Sequence, residues 1–257
     1  MTADLHTTKS VAELFDLSGK VALVTGGSRG LGREMVRAFA AAGADVIITS
    51  RKLDACEALA QEIRATGRRA VAVAAHVGRW KDLQRLTDTA YDTFGRVDIL
   101  VNNAGMSPLA PSSVETSEEL FDKIVAVNFK GPFRLSALIG ARMVATGGGS
   151  IINVSSTGAL MPQPHFGPYA GAKAALNALT TAFALEYGPT VRVNTISAGP
   201  FLTDIAKAWS PEKRERTRSA IGRPGQPSEI VTTALYLASP ASSYTTGALI
   251  RVDGGLY

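Results

Sequence analysis

The 257-residue chain has almost nothing to cross-link it and nothing to hold it in a membrane. Its single cysteine, Cys56, excludes an intrachain disulfide and fits a reducing compartment. No stretch approaches about 18 uninterrupted apolar residues, so no membrane span is expected. The N-terminal MTADLHTTKSVAELFDLSGK carries acidic residues and no apolar core, unlike a secretory signal, so the cytoplasm is the expected location. Long basic runs are missing too: 27 Lys and Arg are scattered among 22 Asp and Glu, for a net charge of +5. This argues against nucleic acid as a partner and suits an anionic cofactor or substrate. The densest basic stretch, 213–218 (KRERTR), includes Glu215 and reads first as a solvated helix face. There is no internal repeat and no low-complexity tract, and no metal site is expected.

What is present is enough apolar residue for a sizeable core, 46% against 19% charged. Short runs rich in Val and Ile recur at 21–25, 45–49, 70–74, 97–101, 150–154, 191–196 and 249–252. Helical spacing follows at 30–42, 53–66, 79–94, 117–129, 132–146 and 168–188. Strand and helix in alternation, with strands apolar on both faces, predict an α/β fold. One domain covers 1–257: a Rossmann-type, doubly wound, parallel sheet of seven strands, with residues 1–18 as an N-terminal extension. The longest departure, about 200–226, contains Pro200, Pro211 and Pro224 and sits where a substrate lid would.

The first strand runs into Thr25-Gly26-Gly27-Ser28-Arg29-Gly30-Leu31-Gly32 and then a helix. A glycine turn between strand and helix lets backbone approach a pyrophosphate, and the helix N-terminus offers free N–H groups and a positive dipole end. The spacing is T-G-x-x-x-G-x-G, and three further signatures follow in order. They are Asn102-Asn103-Ala104-Gly105, Tyr169 with Lys173 in Y-x-x-x-K spacing, and Val252-Asp253-Gly254-Gly255. Over nearly its whole length the chain resembles the short-chain dehydrogenase/reductase family.

That resemblance implies hydride transfer between a nicotinamide dinucleotide and a ketone or secondary alcohol, a small-molecule partner, and a homo-tetramer. It implies a catalytic set of Asn128, Ser156, Tyr169 and Lys173, with Ser155 as the alternative serine. Lys173 and Tyr169 would also bond the cofactor, as would Gly26, Ser28, Arg29, Gly30, Leu31 and Gly32 of the turn. Asn103, Gly105, Gly199 and Thr203 complete the implied nicotinamide side. Two other readings stay open: a 3-oxoacyl-thioester reductase whose lid residues Lys213, Arg214, Arg216 and Arg218 meet an acidic carrier, and, of another class, a cofactor-binding regulator without turnover.

Tyr169 and Lys173 lie four residues apart and so project from one side of a helix. An ammonium about 4 Å from the phenol would be worth roughly 4 kcal/mol at an effective dielectric of about 20, bringing a phenol of about 10 toward about 7 at most. At the ribose end of the site, Ser50 stands where an acid would repel a 2′-phosphate. Arg51 and Arg29 are positioned to clamp one with no carboxylate opposing them, so NADP is expected over NAD. His76 and Val77 occupy the adenine position, where the family has Asp; a neutral imidazole there is expected to accept from the adenine amino group. His165, Phe166 and Trp209 are candidates for the substrate wall.

Overall fold

In the computed structural model, which describes residues 9–257, seven strands form one sheet. They are β1 (Val21–Thr25), β2 (Asp45–Ser50), β3 (Ala70–Ala74), β4 (Ile99–Asn102), β5 (Gly149–Ser156), β6 (Val191–Ala198) and β7 (Leu249–Val252). Their order is β3-β2-β1-β4-β5-β6-β7, and every pairing is parallel. This is the doubly wound, single-domain Rossmann arrangement. The order reverses between β1 and β4, which opens a crevice beyond their carboxyl ends.

Alternation along the strands sorts the core into two layers. Ala22, Val24, Val46 and Ile48 face one way and pack with Met35 and Phe39 of α2 (Gly30–Ala41), Leu59 and Ile63 of α3 (Leu53–Ala65), and Leu237 of a later helix. Val21, Leu23, Ile47 and Leu100 face the other way. They meet α4 (Trp80–Phe94), then α6 (Gly131–Ala145) and α7 (Gly167–Tyr187), through Leu86, Leu135, Ile139 and Phe183. Each large side chain buried in this way contributes roughly 1.5–3 kcal/mol. Helix α2 is therefore clamped along its length while its first turn stays free to meet a ligand.

The chain begins with α1 (Val11–Phe15), capped by Ser10 and Glu13; residues 1–8 of the expected extension lie outside the described residues. The two helices expected at 117–129 and 132–146 follow one another without a break. Helix α5 (Glu118–Val125) passes through a π-helical turn, Ala126–Lys130, into α6. The wider turn carries Asn128, and such turns are frequent at functional sites. The excursion after β6 holds a short 3₁₀ stretch (Asp204–Ala208) and α8 (Pro211–Glu215). Helix α9 (Val231–Ala238) was not among the expected helices, because VTTALYLA is too evenly apolar to show a 3.6-residue period. Among the described residues no helix is long and apolar enough to cross a membrane.

Candidate active site

The glycine-rich turn is built for close approach. Gly26 and Gly30 have positive φ (63° and 54°), which costs a residue with a Cβ. At Gly32 a Cβ would sit 2.4 Å from the Gly26 carbonyl oxygen and 2.5 Å from Asn103 Nδ2. Arg29, the N-cap of α2, makes no side-chain cap, so the helix's first N–H groups are left to an anion. Leu31 packs against the core and anchors the turn from beneath. Thr25 organises it from behind: its hydroxyl donates to the Val101 carbonyl (3.1 Å) and accepts from the backbone N–H groups of Asn103 and Ala104 (both 3.0 Å). Asn103 spends its amide nitrogen on the carbonyls of Thr25 (2.9 Å) and Gly26 (3.2 Å), so it shapes the turn. These residues fit a pyrophosphate-bearing dinucleotide.

At the end of β2, the Ser28 hydroxyl donates to Ser50 Oγ (3.1 Å), and Ser50 also contacts Cys56 Sγ (3.0 Å). Arg51 is exposed beside them. Arg29 departs from expectation. Its guanidinium donates to Asp204 Oδ2 at 3.2 Å, so a carboxylate does oppose it, supplied by the segment after β6. His76 departs as well. Its Nδ1 accepts from Gly78 N (3.1 Å) and its own backbone N–H donates to Asp82 Oδ2 (2.9 Å). Burial and then the charges of Arg51 and Arg79 lower its pKa, so the ring is neutral. With Nδ1 already accepting, the proton is on Nε2, and the free edge of His76 is a donor rather than the expected acceptor. Val77 beside it packs into the core.

Around the crevice, α7 presents Tyr169 and Lys173. The Lys173 side chain is buried and its Nζ donates to the Val154 carbonyl at 2.7 Å. A Cβ on Gly105 would lie 3.1 Å from Asn128 Oδ1 and 3.6 Å from Lys173 Nζ, so these three residues adjoin one another. Asn128 is fully buried and held by Met106 and Ile124: Nδ2 donates to both carbonyls (2.8 and 2.9 Å), while Oδ1 accepts from Met106 N (3.3 Å). Ser156, two residues beyond Val154, accepts from Gly158 N (3.1 Å), and its hydroxyl lies near enough to the Tyr169 phenol to lower its pKa. Ser155, the alternative, is buried and donates to the Lys173 carbonyl (3.3 Å).

The electrostatics run against the simple expectation. Burial pushes the Tyr169 phenol above its ordinary value, with only the Ser156 hydroxyl opposing, and burial lowers Lys173 to about 8. Desolvation dominates, and the Lys173 ammonium is committed to the Val154 carbonyl. Elsewhere, Gly199 packs on Asp253, with a Cβ position only 2.6 Å from its Cα, and Thr203 lies over Gly30. Phe166 stacks edge-on to Tyr169 with centroids 6.1 Å apart, next to His165 in the left-handed region at φ 71°. Trp209 lies under Lys213, while Arg214 donates to the carbonyls of Ala206 (3.0 Å) and Lys207 (2.6 Å).

The two residues that sequence reasoning missed are Asp204 and Val154. Asp204 is far along the chain from Arg29, and Val154 acts through its backbone carbonyl, so neither carries a local signal.

A family model described as enoyl-(acyl carrier protein) reductase matches residues 26–257. The chain belongs to the short-chain dehydrogenase/reductase family. Galactitol 2-dehydrogenase (L-tagatose-forming) of Cereibacter sphaeroides is 40% identical over 256 residues, covering 94% of this chain and 96% of that one. A 7α-hydroxysteroid dehydrogenase, solved with NADH and 7-oxo glycochenodeoxycholic acid, superposes with a TM-score of 0.92 at 34% identity, covering 96% and 98% of the two chains. A gluconate 5-dehydrogenase from Burkholderia cenocepacia, in complex with NADP and tartrate, gives a TM-score of 0.88 at 31% identity, with 96% and 98% covered. This dehydrogenase/reductase is an oxidoreductase that acts on alcohols or ketones.

Proposed function

We propose that this short-chain dehydrogenase/reductase is an NADP(H)-dependent ketoreductase and alcohol dehydrogenase with Tyr169 as its acid and base. The observation that carries this is the convergence of Ser156 on Tyr169, and of Asn128 and Gly105 on Lys173, beside a glycine turn shaped for a dinucleotide. The bound dinucleotide would supply or receive the hydride at its nicotinamide.

Tyr169, its phenol held protonated by burial, is set to give its proton to the oxygen of a ketone. Ser156, beside that phenol, would orient and polarise the same oxygen. Lys173 would hold the nicotinamide ribose and place positive charge next to the phenol. Asn128 would position a water behind the lysine, and Thr203 would meet the carboxamide. In the oxidative direction the phenol must first lose its proton, which the charges of Lys173 and an oxidised nicotinamide both favour. The excursion after β6 serves as the lid.

NADP is favoured because Arg51 is exposed next to Ser28 and Ser50, with no acid at that strand end. The complex of the gluconate 5-dehydrogenase with NADP supports this reading, whereas the steroid dehydrogenase holds NADH. The relatives' substrates include sugar alcohols and steroids, so the substrate class is left at ketones and secondary alcohols. The carrier-protein reading loses support, since Lys213 covers Trp209 and Arg214 is tied to lid carbonyls. Exposed Phe133 and Val144 on α6 and Leu185 on α7 support a homo-tetramer.

The test is oxidation of NADPH and, separately, NADH across ketones, keto sugars and 3-oxoacyl thioesters. Turnover favouring NADPH on at least one ketone is expected; turnover favouring NADH overturns the choice of cofactor, and none at all overturns the activity.

A further inference from the structure

His76 follows β3 at the carboxyl edge of the sheet, and the Ala75 N–H beside it donates to the Ser50 carbonyl at 2.9 Å. It therefore sits next to the strand end where the adenosine ribose would lie. A cavity of about 470 Å³ opens there, lined by His76, Gly78, Asp122, Lys123, Val125, Ala126 and Lys130. Apolar atoms of Val125 and Ala126 suit one face of a flat aromatic base. The imidazole presents a single hydrogen-bonding atom to that space. Nδ1 is occupied by Gly78 N, and no acceptor among the described residues takes the remaining ring N–H. The backbone N–H of Val77, the next residue, bonds no partner among them either.

The two donors at residues 76 and 77 have no complement in the exocyclic amino group of adenine, which is itself a donor. It does complement the ring nitrogens, which are acceptors. We infer that His76 reads the purine of the cofactor as a donor to a ring nitrogen and leaves the 6-amino group unread. This rests on the dinucleotide reading proposed above. It departs from what an aspartate at this position would do: a carboxylate only accepts, and would hold the amino group.

The difference can be measured as binding, without turnover. Calorimetry would compare NADP with an analogue in which unsubstituted purine replaces adenine, so that the amino group is removed and the ring nitrogens are kept. For the natural protein the two dissociation constants should agree within about twofold, because deleting an unread group costs no hydrogen bond. In His76→Asp the carboxylate should take up the amino group, and the analogue should bind about 5-fold more weakly than NADP.

A loss of about 5-fold or more with the analogue in the natural protein would mean that an acceptor holds the amino group, and would overturn the inference. Equal binding of both compounds by His76→Asp would place the base away from residue 76 and overturn it as well. If the natural protein binds neither compound, the dinucleotide reading itself fails and this inference with it. If it binds both, that reading stands whatever the ratio.

Discussion

The guanidinium of Arg29, at the tip of the glycine-rich turn, lies 3.2 Å from the carboxylate of Asp204 in the segment that follows β6. Lys207 shares that carboxylate at 2.7 Å. One of the two cations expected to meet a cofactor phosphate is thus already paired with an anion from the proposed lid. A 2′-phosphate would have to compete with Asp204 for it, and both groups are exposed enough for salt to weaken the pair.

Asp204→Asn should therefore tighten NADPH binding by about 3- to 10-fold at low ionic strength, with the gain shrinking as salt is added. NADH, which lacks the phosphate, should change much less. Titration of protein fluorescence with both cofactors checks this. Equal changes for the two would mean that Arg29 does not meet the phosphate.

Lys173 gives a prediction about pH. Its folded value of about 8 lies below the roughly 10.4 of an unfolded lysine. The folded chain then binds fewer protons between those values, so the contribution of this residue to stability rises with pH across about 8 to 10.4 and is least favourable below 8. The buried ammonium costs on the order of 3 kcal/mol at neutral pH, partly offset by its bond to Val154. Lys173→Met should raise the melting temperature at pH 7 by a few degrees and flatten its rise between pH 8 and 10, while removing activity. A lower melting temperature for the methionine variant would mean that the lysine stabilises the fold.

The same titration should appear in kinetics. With NADPH varied, kcat/KM reports the free protein, so ketone reduction should decline above about pH 8 as Lys173 loses its charge. A profile flat to pH 9.5 would leave the lysine without this role.

Two glycines make a paired test of the turn. At Gly32 an added Cβ would meet backbone at 2.4 Å, whereas at Gly171 in α7 nothing lies within 4 Å. Gly32→Ala should cost about 1–3 kcal/mol in urea unfolding and abolish cofactor binding. Gly171→Ala should add about 0.5–1 kcal/mol from helix propensity. Comparable stability of the two variants would contradict the close approach of turn and helix.

Much of this was legible beforehand because it is local. Apolar runs such as VALVT and DVIIT marked strands, the glycine spacing marked the turn, and Tyr169 and Lys173 shared a helix face through their spacing alone. What escaped depends on contacts between distant segments or on single atoms. Asp204 opposes Arg29 only because the chain after β6 folds back over Gly30. The proton on His76 is decided by one backbone N–H at Gly78. The direction of the Tyr169 shift turned on burial, which a pairwise estimate from helical spacing leaves out. The π-helical turn at Asn128 likewise has no sequence period of its own.

The central claim is hydride transfer with Tyr169 as the proton donor, and deuterium tracing tests it most directly. NADPH carrying deuterium at C4 of the nicotinamide would be incubated with the best ketone, and the alcohol product analysed by mass spectrometry. The natural protein should deliver deuterium to the carbinol carbon, and Tyr169→Phe should slow that delivery by about 10²- to 10⁴-fold while still binding NADPH. Delivery by the phenylalanine variant at a rate within about 10-fold of the natural protein would contradict the role of Tyr169, and the absence of deuterium from every product would contradict hydride transfer itself.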